Sequence, residues 1–117
     1  METAISQGVP IVLTGSQVES VPFKPLGDLE GVAHKLLWED GTSTAGVLTV
    51  EAGHRLGSHA HHANHHHLWV LSGRGMILGV EVGPGGYVHI PAGVSHDIDC
   101  QSTDGCTVFY LYMRAAS

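Results

Sequence analysis

Residues 53–73 read Gly53-His-Arg-Leu-Gly-Ser-His59-Ala-His61-His-Ala-Asn-His65-His66-His67-Leu-Trp-Val-Leu-Ser-Gly73, and residues 85–96 follow with Gly85-Gly-Tyr-Val-His-Ile-Pro91-Ala-Gly93-Val-Ser-His96. Six of the chain's 10 histidines fall between positions 59 and 67. His59 and His61 stand two apart, so on an extended strand both imidazoles project from one face. Two imidazoles on one face, a third after a short loop and a fourth from a distant strand suit a nitrogen-donor metal site. Neutral imidazole favours Zn, Cu, Fe and Ni, and Mn less strongly. A solvated histidine-rich loop that scavenges metal fits the spacing alone equally well.

Outside this stretch the chain reads as short strands and turns. Segments 32–38, 45–51, 66–71, 76–82, 87–90, 96–100 and 107–113 carry strand signals. Between them lie Asp40-Gly41, Gly53, Ser72-Gly73, Gly83-Pro-Gly-Gly86, Pro91-Ala-Gly93 and Asp104-Gly105, each a turn signal. No window of helical length repeats its apolar positions without a Gly or Pro interrupting it. With 16 Gly and 5 Pro in 117 residues, turns are dense enough for an all-β sandwich or barrel. The length allows one domain, with residues 1–30 as an N-terminal arm bearing a strand or two and 31–117 as the barrel. In the arm, Ile11-Val-Leu13 is the expected strand, free to lie on a neighbouring subunit's sheet edge.

The two histidine-bearing segments resemble the paired motifs of the cupin superfamily. Gly53, five residues, His59-Ala-His61, four residues, His66, six residues and Gly73 follow the first motif; Gly85, five residues, Pro91-Ala-Gly93, two residues and His96 follow the second. The resemblance spans roughly residues 46–113 and implies a double-stranded β-helix, a small jelly-roll barrel, with one divalent transition metal per subunit (Fe, Mn, Zn, Ni or Cu). By the same resemblance His59, His61, His66 and His96 are the ligands.

Two positions depart from the pattern. His66 stands where the family carries a glutamate, and Cys100 where it carries an asparagine. A fourth imidazole leaves the ion's charge uncompensated and removes the obvious general base, which argues against reactions that shuttle a proton through that carboxylate. Counting back from Gly73 selects His66 rather than His65, and groups it by parity with Leu68 and Val70 as inward residues. His34, His54 and His89 lie outside the motif and read as surface or satisfied polar residues. Asp97 and Asp99 alternate with His96 and read as a solvated face. Tyr87, Tyr110 and Tyr112 read as packing, and so does Trp69, which shares a strand face with Leu71.

Net charge is −6 with no basic run, which argues against nucleic acid as a partner. No apolar run approaches the ~20 residues that span a bilayer, and the first residues carry no basic n-region, so a soluble cytoplasmic protein is expected. Cys100 and Cys106 are then expected reduced. A two-residue turn at Asp104-Gly105 would pair Cys100 with Phe109 and Thr103 with Cys106, keeping the sulfurs apart. A homodimer is expected, because small barrels of this kind commonly cover their outer sheet with a partner.

Small standalone cupins with all-nitrogen sites resemble dioxygenases that cleave carbon–carbon bonds of enolisable ketones, so a metal-dependent oxygenase on a small chelating substrate is the first functional expectation. The catalytic residues are not legible. The alternative is a metal- or ligand-sensing module like the cupin domain of zinc anti-sigma factors. Those carry a helical domain ahead of the barrel, and the ~40 residues ahead of the barrel here do not read as helices.

Overall fold

The computed structural model describes residues 8–115. In order these form α1 (Gly15–Ser20), β1 (Lys24–Pro25), β2 (Val32–Glu39), β3 (Ser43–Glu51), β4 (Asn64–Ile77), β5 (Val80–Val82), β6 (Tyr87–Ile90) and β7 (Gly105–Arg114). Every strand pairing is antiparallel, in the order β1-β2-β3-β7-β4-β5, with β6 also pairing with β4. This is the all-β, single-domain jelly-roll architecture that the motifs imply.

Turn chemistry sets the hairpins. Asp40 Oδ1 accepts from the backbone N–H of Thr42 and Ser43, at 2.9 and 2.8 Å, and so closes the β2–β3 turn. Leu78 and Gly79 join β4 to β5 with φ of 50° and 78°, the positive pair that a primed two-residue hairpin turn requires.

Alternation then builds the core. On β4, His66, Leu68 and Val70 are each 2% exposed, whereas Trp69 is 37% and Leu71 54% exposed. Leu48 and Val50 of β3 are buried in the same cluster as Val108 and Tyr110 of β7, with Leu48 directly opposite Val108 in the ladder. Gly46 makes room for this, since a Cβ there would lie 2.3 Å from the Tyr110 hydroxyl.

Five expectations from the sequence are corrected. Segment 76–82 is not one strand but the end of β4 followed by β5, split by the Leu78-Gly79 turn. Ser72-Gly73 is not a turn: β4 runs through it with a register shift between Val70 and Ser72. Gly73 has φ 73°, and a Cβ would stand 1.9 Å from the Gly105 carbonyl oxygen, so the chain bulges without ending. Segment 96–100 is not a full strand. Its backbone runs antiparallel to segment 53–59 through isolated bridges (His96 to His59, Asp99 to Arg55) and single hydrogen bonds, and Asp99 also bridges to Met76 on its other side.

The cysteine hairpin does not form either. Cys106 pairs with Val50 and Gly73, and Cys100 enters the core beside it, both buried and free. A Cβ on Gly75 would touch Cys106 Cβ at 3.3 Å and Cys100 Sγ at 3.4 Å, which places the two side chains side by side. Burial, then the Cys100 thiol, then Asp104, push the Cys106 thiol up to about 12.

The arm, finally, carries its strand at β1 and not at Ile11–Leu13, with the helix α1 between them. Thr14 and Gln17 form a reciprocal capping box: Thr14 Oγ1 accepts from Gln17 N at 3.2 Å, and Gln17 Oε1 from Thr14 N at 2.9 Å. The arm packs on its own barrel. Lys35, only 6% exposed, donates to the Val18 carbonyl at 2.7 Å and lies 4.5 Å over the Phe23 ring. Among the described residues no helix is long and apolar enough to cross a membrane.

Candidate metal centre

His59 and His61 lie on the irregular segment ahead of β4, His66 on β4, and His96 on the segment after β6. The loops are zipped together by backbone: His59 N donates to His96 O at 2.9 Å, His96 N to His59 O at 2.8 Å, and Gly93 N to His61 O at 2.8 Å. This brings the two motifs, distant in sequence, to one end of the barrel.

Ring nitrogens of His59, His61 and His96 lie within 4.8 Å of one another. His66 stands just outside this triad, its ring centroid 4.2 Å from that of His61 and 5.2 Å from that of His96. It stacks on Tyr112 at 3.8 Å. So three of the four histidines singled out from the sequence converge, and the fourth lies against them. His65 and His67 take no part in this cluster.

Tautomers are set by the backbone. His59 Nδ1 lies 2.7 Å from Gly57 O, and His96 Nδ1 lies 2.9 Å from Val94 O. A carbonyl oxygen can only accept, so in each ring Nδ1 carries the proton and Nε2 carries the lone pair, as for metal-ligating imidazoles whose other nitrogen is anchored. His66 Nε2 is, among the described residues, a buried side-chain atom with no hydrogen-bond partner. Buried polar atoms are nearly always paired, and a metal at this point would supply the partner. The donor set therefore fits a borderline divalent ion.

Electrostatics agree. Burial, followed by the neighbouring His61 and His96, holds His66 down at about 3. Burial also lowers His61 and His96, with His59 adding to both. Crowded imidazoles that resist protonation are ready to bind metal as neutral ligands.

Asp97 is not a solvated carboxylate, contrary to the sequence reading. Its Oδ2 accepts from Arg55 Nε at 2.7 Å and its Oδ1 from Gly57 N at 2.7 Å. Gly57 O in turn accepts from His59 Nδ1, so Asp97 clamps the segment that orients His59. Asp97→Ala is expected to weaken metal binding by roughly 10-fold, within the ~10–100-fold range of outer-shell partners. Competition against a chromophoric chelator measures this, and unchanged affinity would remove Asp97 from the site.

Beside the triad lies a cavity of about 360 Å³ whose lining includes Leu26, Leu29, Leu56, His59, His61 and Tyr112. Sequence reasoning missed Leu26 and Leu29, because nothing local says that the arm folds back over the barrel end. Tyr112, which the sequence reads as packing, lines the cavity from β7. Burial, then Tyr110, push its phenol upward, so it stays protonated at neutral pH.

A family model described as the ChrR cupin-like domain matches residues 13–115. No curated protein matches the chain by sequence. Solved structures share the fold. A predicted oxalate decarboxylase from Thermotoga maritima superposes with a TM-score of 0.75 at 16% identity, covering 90% of this chain and 100% of that one. An RmlC-like cupin from Shewanella frigidimarina gives 0.73 at 19%, covering 96% and 95%. Rhodobacter sphaeroides SigE in complex with the anti-sigma ChrR gives 0.66 at 21%, covering 80% of this chain and 49% of that one.

Proposed function

This chain belongs to the ChrR cupin-like domain family, and from that premise we propose that it is a metal-dependent oxygenase whose four histidines, His59, His61, His66 and His96, hold one divalent transition metal beside a small-molecule cavity. The observation that carries this reading is the cavity: its leucines adjoin His59 and His61 directly, a place for the apolar body of a substrate whose polar end reaches the ligands. A bound ion supplies Lewis acidity to a chelating enol or hydroxyketone and, if redox-active, a path for electrons to dioxygen.

The chain's own residues do the rest. The Gly57 and Val94 carbonyls keep the Nε2 lone pairs of His59 and His96 available. Tyr112, protonated and lining the cavity, offers a hydrogen bond to an anionic substrate oxygen. Leu26, Leu29 and Leu56 give the same space an apolar wall. Among the described residues the groups clustered at the site are all imidazoles, and Asp97 is committed to Arg55 and Gly57, which leaves no carboxylate of that cluster to take a substrate proton. Substrates acidic enough to ionise near neutral pH suit this site, with β-diketones and hydroxyketones as the class.

The family match favours a second reading, a sensing module that binds metal or ligand without turnover. Oxygen-electrode assays of the Fe(II)-loaded protein against a panel of such ketones separate the two. Stoichiometric oxygen uptake with carbon–carbon cleavage products is the expected result. Saturable ligand binding with no oxygen uptake across the panel would favour the sensor.

A further inference from the structure

β4 carries three consecutive histidines, and alternation sends only His66 inward. His65 and His67 project from the opposite face of the strand, toward the outside of the barrel. There β6 runs antiparallel beside β4 with His67 directly opposite His89 and Trp69 opposite Tyr87. The three outward imidazoles form a compact triangle, with ring centroids 5.2 Å apart for His65–His67, 5.0 Å for His67–His89 and 5.5 Å for His65–His89. Their ligand nitrogens lie within 4.8 Å of one another.

We propose that His65, His67 and His89 form a second transition-metal site, on the outer face of the barrel, that takes a borderline divalent ion such as Zn²⁺ or Cu²⁺ through three imidazoles and leaves at least one coordination position open to solvent. A tetrahedral ion ~2.0–2.1 Å from each nitrogen sets those nitrogens about 3.4 Å apart. The remaining gap closes by rotation of rings that are exposed or half-buried, with no movement of the sheet.

One ring is already oriented. His67 Nδ1 shares a hydrogen bond with the Tyr87 hydroxyl, and with Nδ1–H donating to Tyr87 the lone pair of His67 sits on Nε2. That is the arrangement outer partners give to metal-bound histidines. The cluster has no role in the core: its side chains lie across the strand from Leu68 and Val70, on the outer face. Zinc and copper suit the nitrogen donors better than magnesium or calcium would.

The test uses the intact metal-free protein titrated with Cu²⁺ by equilibrium dialysis, with tryptophan fluorescence as a local reporter. Trp69 stacks 6.0 Å from His67, whereas Trp38, the other tryptophan, lies on β2. Wild type is expected to bind two equivalents, with the outer one quenching Trp69. His89→Ala, at an exposed position, should lose that equivalent and its quenching while keeping the interior one; His65→Ala should do the same. His96→Ala should lose the interior equivalent and keep the quenching. Tyr87→Phe should weaken the outer site by ~10-fold or more. The proposal is overturned if His89→Ala and His65→Ala retain both equivalents and the quenching. It is equally overturned if the exposed His62→Ala abolishes the outer equivalent, since the metal would then be held by a loose histidine loop.

Discussion

His96→Ala protein is expected to bind Zn²⁺ at the interior site more than ~100-fold more weakly than wild type, a loss beyond the ~10–100-fold typical of outer-shell changes. His96 is 6% exposed, and its Nδ1–H is already committed to the Val94 carbonyl, so no neighbouring ring replaces its Nε2 without moving backbone. His66→Ala should show a comparable loss, and this is the sharper measurement because His66 stands outside the converging triad. If interior affinity survives in His66→Ala, three histidines hold the ion and the fourth is packing. Total metal content does not answer the question, because the outer cluster contributes its own equivalent; the tight equivalent has to be read separately. His66→Leu adds an independent sign. Removing a buried, unpartnered Nε2 should raise the stability of the metal-free protein even as metal binding falls.

Chelation is expected to lower the thermal midpoint of the wild-type protein by on the order of 10 °C. An ion present at ~100 times its Kd stabilises the folded state by about 2.7 kcal/mol, and ~1 kcal/mol moves the midpoint of a domain of roughly this size by ~4–8 °C. The metal-free midpoint should also depend on pH. His66 is held at about 3 by burial first and by His61 and His96 next, against 6.5 in the unfolded chain. Between those values the unfolded state binds the proton and the folded state does not. Stability is therefore full above pH 6.5 and declines as pH falls toward 3. His61 and His96, lowered in the same direction, add to the slope. Protons also displace metal in this window, so curves with and without metal should converge on acidification. Differential scanning calorimetry from about pH 8 to about pH 4, with and without chelator, reads both effects. A metal-free midpoint that is flat across the range would mean that His66 is solvated in the folded state.

Much of the site was legible in the chain, because the governing rules are local. Parity places His59 with His61 and turns His66 inward with Leu68 and Val70. The spacing from Gly53 to Gly73 and from Gly85 to His96 marked the two segments that meet. Asp40-Gly41 and Gly83-Pro-Gly-Gly86 ended strands where turn residues must. The capping box at Thr14 and Gln17 was equally local, and its six-residue helix was overlooked because the apolar pattern there is too short for a helical period to show.

What only the tertiary structure decided are the pairings between residues far apart in sequence. Asp97 meets Gly57 and Arg55 because segments 53–59 and 96–100 come together antiparallel from distant parts of the chain, and no periodicity encodes that. Leu26 and Leu29 reach the cavity because the arm returns over its own barrel. Cys100 lies beside Cys106 because β7 starts at Gly105 and pairs with β3 and β4, leaving no hairpin to hold the sulfurs apart. His65 and His67 became a candidate site only when the β4–β6 register set His89 opposite His67. The sequence by itself therefore determined which way each side chain faces along its own strand, since that follows from backbone geometry two residues at a time. Which side chains meet across strands depended on register and loop closure, which are settled by the burial of the whole core.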